Sequence, residues 1–282
     1  MYGKLYLCPT PIGNLKDITL RTLECLQSVD LIAAEDTRVS MKLLNHFEIQ
    51  APITSYYEHN KREKGHYLIE KLKEGQSIAV ITDAGMPGIS DPGEDLVRMC
   101  VKEGIAVEAL PGPCAFATAL VASGLPTGRF AFEGFLTVNK KNRLEHLQSL
   151  MEDTRTLIFY EAPHKLRATL SDMLTVFGDR KVVLARELTK KFEEYYRTTL
   201  SEALHYYEET PPKGEFVILL EGASEEDLRL KELAALPSAE ELLRRYAKEG
   251  LRAKELTNRV AEELKQPKRD IYDLYLKIKE TL

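Results

Sequence analysis

No apolar stretch in this 282-residue chain approaches the roughly 20 residues that a membrane-crossing helix needs. The opening "MYGKLYLCPT" has no basic region followed by a long apolar one, so no secretory leader is expected and the cytoplasm is the default location. Only four cysteines occur (Cys8, Cys25, Cys100, Cys114), none of them in a C-x-x-C pair. That spacing speaks against a zinc site or a disulfide framework and for small thiols buried inside apolar segments. An excess of positive charge is missing too, because 39 Lys+Arg face 44 Asp+Glu. A uniformly basic nucleic-acid binder is thereby excluded. The most informative scarcity is local. Residues 82–97, "TDAGMPGISDPGEDLV", contain neither Lys nor Arg, although three glycines and two prolines mark a ligand loop. The segment matches neither a P-loop nor a dinucleotide fingerprint. A polyphosphate would require a cation there, so a zwitterionic or cationic ligand fits better, with Asp83 and Asp91 favouring positive charge nearby.

Apolar residues make up 44% and charged residues 29%, the balance of a globular protein with room for two domains. Along the first part, short apolar runs alternate with helical patterns. Strands are expected at 4–8, 30–35, 51–56, 77–82 and 106–110. Helices are expected at 18–29 with Thr19 as a cap, then at "RVSMKLLNHF", "REKGHYLIEKLKEG" and "EDLVRMCVKEG". "SIAVIT" (77–82) is the uninterrupted run of a strand buried on both faces. This alternation predicts an open α/β sheet, whose ligands bind in loops at the carboxyl ends of the strands. "PTPIGN", the cation-free loop and "EALPGPC" all lie at such ends. Beyond a helix over "PGPCAFATALVASGLP" (111–126), strands come in closer succession at 129–136, 154–161, 180–189, 192–200 and 214–222. Three helices fit between them, so a second, mixed or antiparallel sheet is predicted. The expected organisation is an N-terminal α/β domain at 1–112, a C-terminal α/β domain at 113–223, a linker at 224–237 and a helix-turn-helix-like extension at 238–282. The alternative for that extension is a capping tail packed on the main body.

Charge is unevenly spread. Residues 239–282 carry 11 Lys+Arg against 9 Asp+Glu, leaving 28 against 35 in the remainder. Basic clusters at "NKKNR" (139–143), "HKLR" (164–167) and "TKK" (189–191) can each be a solvated face or, together, one basic surface.

Eight segments taken in order, "LCPTPIGNLKDITLRTLECL", "LIAAEDTRVSMKLLNHF", "TDAGMPGISDPG", "ALPGPCAFATALVASGLP", "FEGFL", "FYEAPHKL", "ARELTKKFEE" and "GEFVILLEG", resemble the ribosomal RNA small subunit methyltransferase I family of the tetrapyrrole methylase superfamily. The resemblance covers essentially the whole chain, including "KELTNRVAEELKQPKRDIYDLYL" near the C-terminus. It implies a two-domain α/β fold with S-adenosylmethionine in the cleft between the domains. It implies transfer of a methyl group to the ribose 2′-hydroxyl of a cytidine in the decoding region of small-subunit rRNA, by a homodimer, without DNA, membrane or metal as partner. Carried onto this sequence, the cofactor loop is Asp83, Ala84, Gly85, Met86, Ile89 and Ser90. The remaining walls are Pro11 and Gly13, then Pro111, Gly112 and Ala115, then Tyr160, then Gly214 and Glu215. Cys114 stands where other superfamily members carry Ser, a departure expected to matter little because a thiol is similarly small.

A ribose hydroxyl is a weak nucleophile and gains from a base that takes its proton. Polar groups near strand ends are the candidates: Glu35, Asp36 and Arg38, then Glu58, His59 and Asn60, then Glu161, His164 and Lys165. A carboxylate from Glu35, Asp36 or Glu161 is expected to orient the acceptor, although Asp36 is equally placed to cap the following helix. Arg38, His59, Lys140, Lys141, Arg143, Lys165 and Lys190 are the expected RNA contacts. Two rival readings share these residues, a methylase of tetrapyrroles and a non-catalytic RNA-binding module. A small polycarboxylate would not need the helical appendage, and the intact "DAGMPGISDPG" and "FYEAPHK" argue against loss of catalysis.

Overall fold

The computed structural model describes residues 2–235 and 237–279. Met1, Leu236 and residues 280–282, which fall within the first expected domain, the linker and the extension, lie outside the described residues. The chain divides into two compact units, Met1–Gly222 and Ala223–Leu282.

The first unit holds two five-stranded sheets. Strands β1 (Lys4–Leu7), β2 (Leu31–Ala34), β3 (Ile53–Ser55), β4 (Ile78–Ile81) and β5 (Ala106–Ala109) form a wholly parallel sheet in the order β3-β2-β4-β1-β5. Helices α1 (Leu20–Ser28), α2 (Thr37–His46), α3 (Lys61–Lys73) and α4 (Gly93–Lys102) connect them. Every residue of β2 and β4 is buried, as expected for central parallel strands covered on both faces. Leu68, Leu72, Leu96 and Cys100 cover one face of the sheet, and Cys25, Leu26 and Leu44 the other. Thr19 accepts the Thr22 N–H as the expected cap of α1, and Asp36 accepts the Arg38 N–H at the start of α2. Because β1 pairs with β4, the loops that follow these two strands emerge side by side.

The second sheet contains β6 (Phe130–Phe135), β7 (Thr156–Glu161), β8 (Lys181–Arg186), β9 (Glu194–Thr199) and β10 (Phe216–Leu220) in the order β6-β7-β10-β8-β9. It is mixed, with β6 and β7 parallel and the other pairs antiparallel. The helices of this half are α5 (Ala115–Ser123), α6 (Lys140–Ser149), α7 (Leu166–Phe177) and α8 (Leu200–Glu209). One face of the sheet packs with Leu147, Leu170, Met173 and Ala203 of the last three. The opposite face packs with Ala119 and Leu120 of α5, and Ile12 from the loop after β1 joins that cluster. A side chain of the first half thus completes a core of the second.

In the second unit, residues expected to form a linker are helical, as α9 (Glu225–Ala235). The physical reason lies in the residues themselves. "EEDLRLKELAA" is built from strong helix formers, three acids sit in its first turn, and the Ser224 hydroxyl accepts the Asp227 N–H. Helices α10 (Ala239–Lys248), α11 (Ala253–Glu263) and α12 (Lys268–Ile278) follow. They share a core of Leu242, Leu243, Tyr246, Leu256, Val260 and Ile271. A capping box formed by Ser238 and Glu241 starts α10.

Candidate active site

A cavity of about 560 Å³ opens where loops from both sheets of the first unit meet. The cation-free loop supplies one wall, from Thr82 to Met86 and from Ile89 to Asp91. Ile12 comes from the loop after β1, Glu35 from the end of β2, and Cys114 and Ala115 from the entry of α5. The second sheet closes the far side with Phe135, the run Tyr160–Pro163, Leu188 and Glu215–Val217.

The loop is held in shape by its own backbone. Thr10 and Gly85 exchange N–H···O bonds of 2.9 and 3.0 Å, which tie it to the neighbouring loop, and Gly85 adopts φ +87. Asp91 turns its carboxylate inward and accepts the N–H groups of Gly88 (2.9 Å), Ile89 (3.2 Å) and Gly93 (2.7 Å). Burial nevertheless raises the Asp91 pKa, because loss of water outweighs those three bonds. Ser90 sits at φ +63, a left-handed conformation uncommon outside glycine, and it does so beside the bulge at Gly134.

Among the described residues no Lys or Arg lines the cavity, and five carboxylates do: Glu35, Asp83, Asp91, Glu161 and Glu215. They differ in what they hold. Glu35 accepts the Thr82 hydroxyl at 2.6 Å. Asp83 accepts the Asp36 backbone N–H at 3.1 Å, and its pKa is raised, first by burial and then by the nearby Glu35 charge. Glu161 is buried and fully engaged, taking bonds from the Thr169 hydroxyl (2.6 Å), the Ala162 N–H (2.9 Å) and the Lys165 ammonium (3.1 Å). Tyr160 receives the Phe116 N–H on its phenol oxygen, and burial pushes its pKa up to about 12, so the phenol is neutral.

Of the fourteen residues expected to hold a cofactor, nine line the cavity: Asp83, Ala84, Gly85, Met86, Ile89, Ser90, Ala115, Tyr160 and Glu215. Pro11, Gly13, Pro111, Gly112 and Gly214 do not line it, and three of them act from behind. A Cβ on Gly13 would lie 2.5 Å from the Lys190 side chain, one on Gly112 2.4 Å from the Pro9 ring, and one on Gly214 2.5 Å from Glu187. These glycines let the wall-forming loops pack closely. Residues not singled out from the sequence are Thr82, Phe135, Ala162, Pro163, Leu188, Phe216, Val217 and Ile12. Only Ile12 carried a legible signal, as the lone large apolar side chain within "PTPIGN".

The three expected catalytic carboxylates are separated by their surroundings. Asp36 caps α2 and is gripped by Arg38 through Nε (3.1 Å) and Nη2 (2.7 Å), which holds its pKa down to about 2. It does not line the cavity. Glu161 lines it with its oxygens already satisfied, and Glu35 is the one with the fewest partners.

The expected RNA contacts differ in exposure and pairing. Arg143 is buried with 8% exposure, bonded to Asp172 and to the carbonyls of Thr137 and Val138. It is a structural ion pair, because Asp172 and the two carbonyls hold its guanidinium out of solvent. Lys140 and Lys141 are exposed, whereas Lys165 is tied to Glu161 and Lys190 bridges Glu187 and Glu215. Arg38 and His59 are exposed outside the cavity.

A fold of this kind, with a cavity between a parallel and a mixed sheet, is that of the tetrapyrrole (corrin/porphyrin) methylases, whose family model matches residues 4–204. Among solved structures, uroporphyrin-III-C-methyltransferase from Thermus thermophilus superposes with a TM-score of 0.56 at 18% identity, over 77% of this chain and 94% of that one. Diphthine synthase superposes at 0.60 and 13%, over 78% and 90%. Both likenesses concern the fold. Sequence similarity is much higher to proteins named ribosomal RNA small subunit methyltransferase I. That of Halalkalibacterium halodurans is 50% identical over 97% of this chain and 94% of its own. That of Synechocystis is 47% identical over 98% of each. That of Thermotoga maritima is 47% identical over 99% of its own length but only 78% of this chain. The chain belongs to the ribosomal RNA small subunit methyltransferase I family, a family of methyltransferases.

Proposed function

We propose that this protein transfers a methyl group from S-adenosylmethionine to the ribose 2′-hydroxyl of a cytidine in the decoding region of small-subunit rRNA. The observation that carries the cofactor half is the cavity itself, walled by backbone and carboxylates and free of Lys and Arg. Such a wall suits a cationic sulfonium and disfavours a polyphosphate. The donor set fits the rest of the group as well: glycine-bearing backbone for its polar edges, with Met86, Ile89, Leu188 and Val217 for its apolar surface. The rRNA half is supported by the names of the relatives matched over nearly their full length.

When bound, S-adenosylmethionine supplies a methyl carbon already activated by the sulfonium charge. The chain's task is to align the acceptor and remove its proton. Glu35 is the carboxylate for that proton, since it reaches the cavity and has one short partner, Thr82. Asp83 beside it adds negative charge toward the sulfonium. Asp36 serves as helix cap and anchor for Arg38, and Glu161 as the group that positions Lys165. Within the same reading the enzyme is a cytoplasmic homodimer, which light scattering of the purified chain would test.

The deciding experiment incubates the protein with methyl-labelled S-adenosylmethionine and small ribosomal subunits lacking the modification, or with uroporphyrinogen. Label in rRNA nuclease fragments, mapped to a single cytidine ribose by mass spectrometry, is the expected result. Label in the porphyrin would assign the chain to tetrapyrrole methylation instead, and no label in either would indicate a binding module.

A further inference from the structure

The second unit presents one surface on which exposed cations without ion-pair partners are concentrated. On α3, α4 and α10 several cations are held in ion pairs: Lys61 with Glu58 and Asp95, Lys73 with Glu70 and Glu103, Arg98 with Glu94 and Asp95, and Arg245 with Glu263. On α12 and the turn before it, Lys265, Lys268, Arg269, Lys277 and Lys279 are exposed, and no described residue forms an ion pair with any of them. Residues 265–279 contain only Asp270 and Asp273 as acids. Lys268, Tyr272 and Leu276 recur at four-residue intervals and so share one stripe of the helix, with Arg269 beside it. Tyr272 is 47% exposed and Leu276 43%, while the opposite side of α12 buries Ile271 in the unit's core. The stripe is therefore not needed to hold the three helices together.

We propose that this face of α12, with Lys265, Lys268, Arg269 and Tyr272 at its centre, is an RNA-docking surface, separate from the cavity that holds the methyl donor. The occupant follows from the chemistry. Unpaired cations interleaved with an exposed aromatic ring match a polyanion that carries stackable bases, the phosphates meeting the cations and a base or ribose meeting Tyr272. A second copy of the same face is disfavoured, because five like charges against two acids would be brought together. The Thermotoga relative is matched over 99% of its length by 78% of this chain, so a family member exists that is shorter by about a fifth. Every residue that lines the cavity belongs to the first unit, so residues 223–282 add affinity for substrate rather than complete the reacting centre. The proposal rests on the rRNA reading above for the identity of the RNA.

The test uses the full chain and protein-free small-subunit rRNA, with no methyl donor present, and follows binding by fluorescence anisotropy across salt concentrations. In the triple variant Lys265→Gln, Lys268→Gln, Arg269→Gln, the slope of log affinity against log salt should become shallower by about 2 units, and affinity should fall roughly tenfold at moderate salt. Tyr272→Ala should weaken binding about fivefold or more with the slope unchanged. In methylation assays on small subunits, the triple variant should raise KM and leave kcat within about twofold. All four side chains are exposed, and an unchanged thermal midpoint confirms that the variants fold. An unchanged slope and affinity overturns the proposal, as does a variant that dissociates into smaller species in sedimentation while binding RNA normally, because the face would then join copies of the chain. If rRNA is never methylated yet the slope shifts as stated, the docking surface stands and the activity assignment fails.

Discussion

Asp91 offers the sharpest test of how the candidate cofactor loop works. Its carboxylate accepts three backbone N–H groups, from Gly88, Ile89 and Gly93, at 2.7–3.2 Å. Hydrogen bonds to a charged group contribute about 1.5 kcal/mol or more each, so the three together hold the loop by about 4 kcal/mol in gross terms. Taking the carboxylate out of water outweighs this gain, as its raised pKa records. Truncation nevertheless costs the order of the loop about 2 kcal/mol, because it leaves three N–H groups without their acceptor. Asp91→Ala removes all three acceptors, and the loop must then be ordered by the ligand at the ligand's expense. At 1.4 kcal/mol per decade, the affinity for S-adenosylmethionine should fall about 30-fold. Asp91→Asn keeps one acceptor oxygen and sheds a desolvated charge, so its loss should be smaller. Isothermal titration calorimetry measures both, and hydrogen exchange at Gly88 and Gly93 should accelerate in the alanine variant. If Asp91→Ala binds within about threefold of the parent, the loop is not pre-ordered by this carboxylate and the reasoning fails.

Three further expectations can be checked alongside it. Glu35→Gln should lower kcat for rRNA methylation by about 10²–10⁴ with little change in affinity for S-adenosylmethionine, whereas Asp36→Asn, which still caps α2, should stay within about tenfold of the parent; single-turnover rates decide between them. Arg143→Ala leaves the Asp172 carboxylate buried without its partner, so chemical denaturation should report a loss of about 3–5 kcal/mol, with the salt dependence of RNA binding unchanged. Asp83 has a folded pKa above its unfolded one, so its ionised form is disfavoured in the folded state: that penalty is absent below pH 3.8 and fully present once pH exceeds the folded pKa. Asp83→Asn should therefore raise the thermal midpoint relative to the parent at neutral pH and not at pH 3, while weakening binding of the cationic cofactor.

Much of this fold is written in local pattern. The continuous apolar run at 78–81 announces a strand buried on both faces, the run at 31–34 a strand, and Thr19 and Asp36 cap helices where short polar side chains stand before helical spacing. The run 225–235 reads as a linker from its acids and small residues, and it is helical because the same residues are strong helix formers with a favourable first turn. The loop of residues 82–91 was legible as a ligand wall because glycine, proline and the absence of cations are properties of sequence alone. Its opposite wall was not. Phe135, Leu188 and Phe216 are ordinary apolar residues at strand ends, and only the pairing order of the second sheet brings them to the cavity.

Charge was the property that sequence conveyed least. "NKKNR" reads as one basic patch, yet the helix turns Lys140 and Lys141 to solvent and draws Arg143 onto Asp172, twenty-nine residues away along the chain. Glu35, Asp36 and Glu161 look alike as letters. One faces the cavity, one is clasped by Arg38, and one is buried under Lys165 and Thr169. Sequence alone determined most of the elements, the order of the loops and the absence of cations from residues 82–97, because those depend on backbone preferences and on residues within a few positions of each other. Which carboxylates are free to act, and which cations are free to bind, was decided by tertiary structure, because the partners that neutralise a charge in these cases include groups distant along the chain.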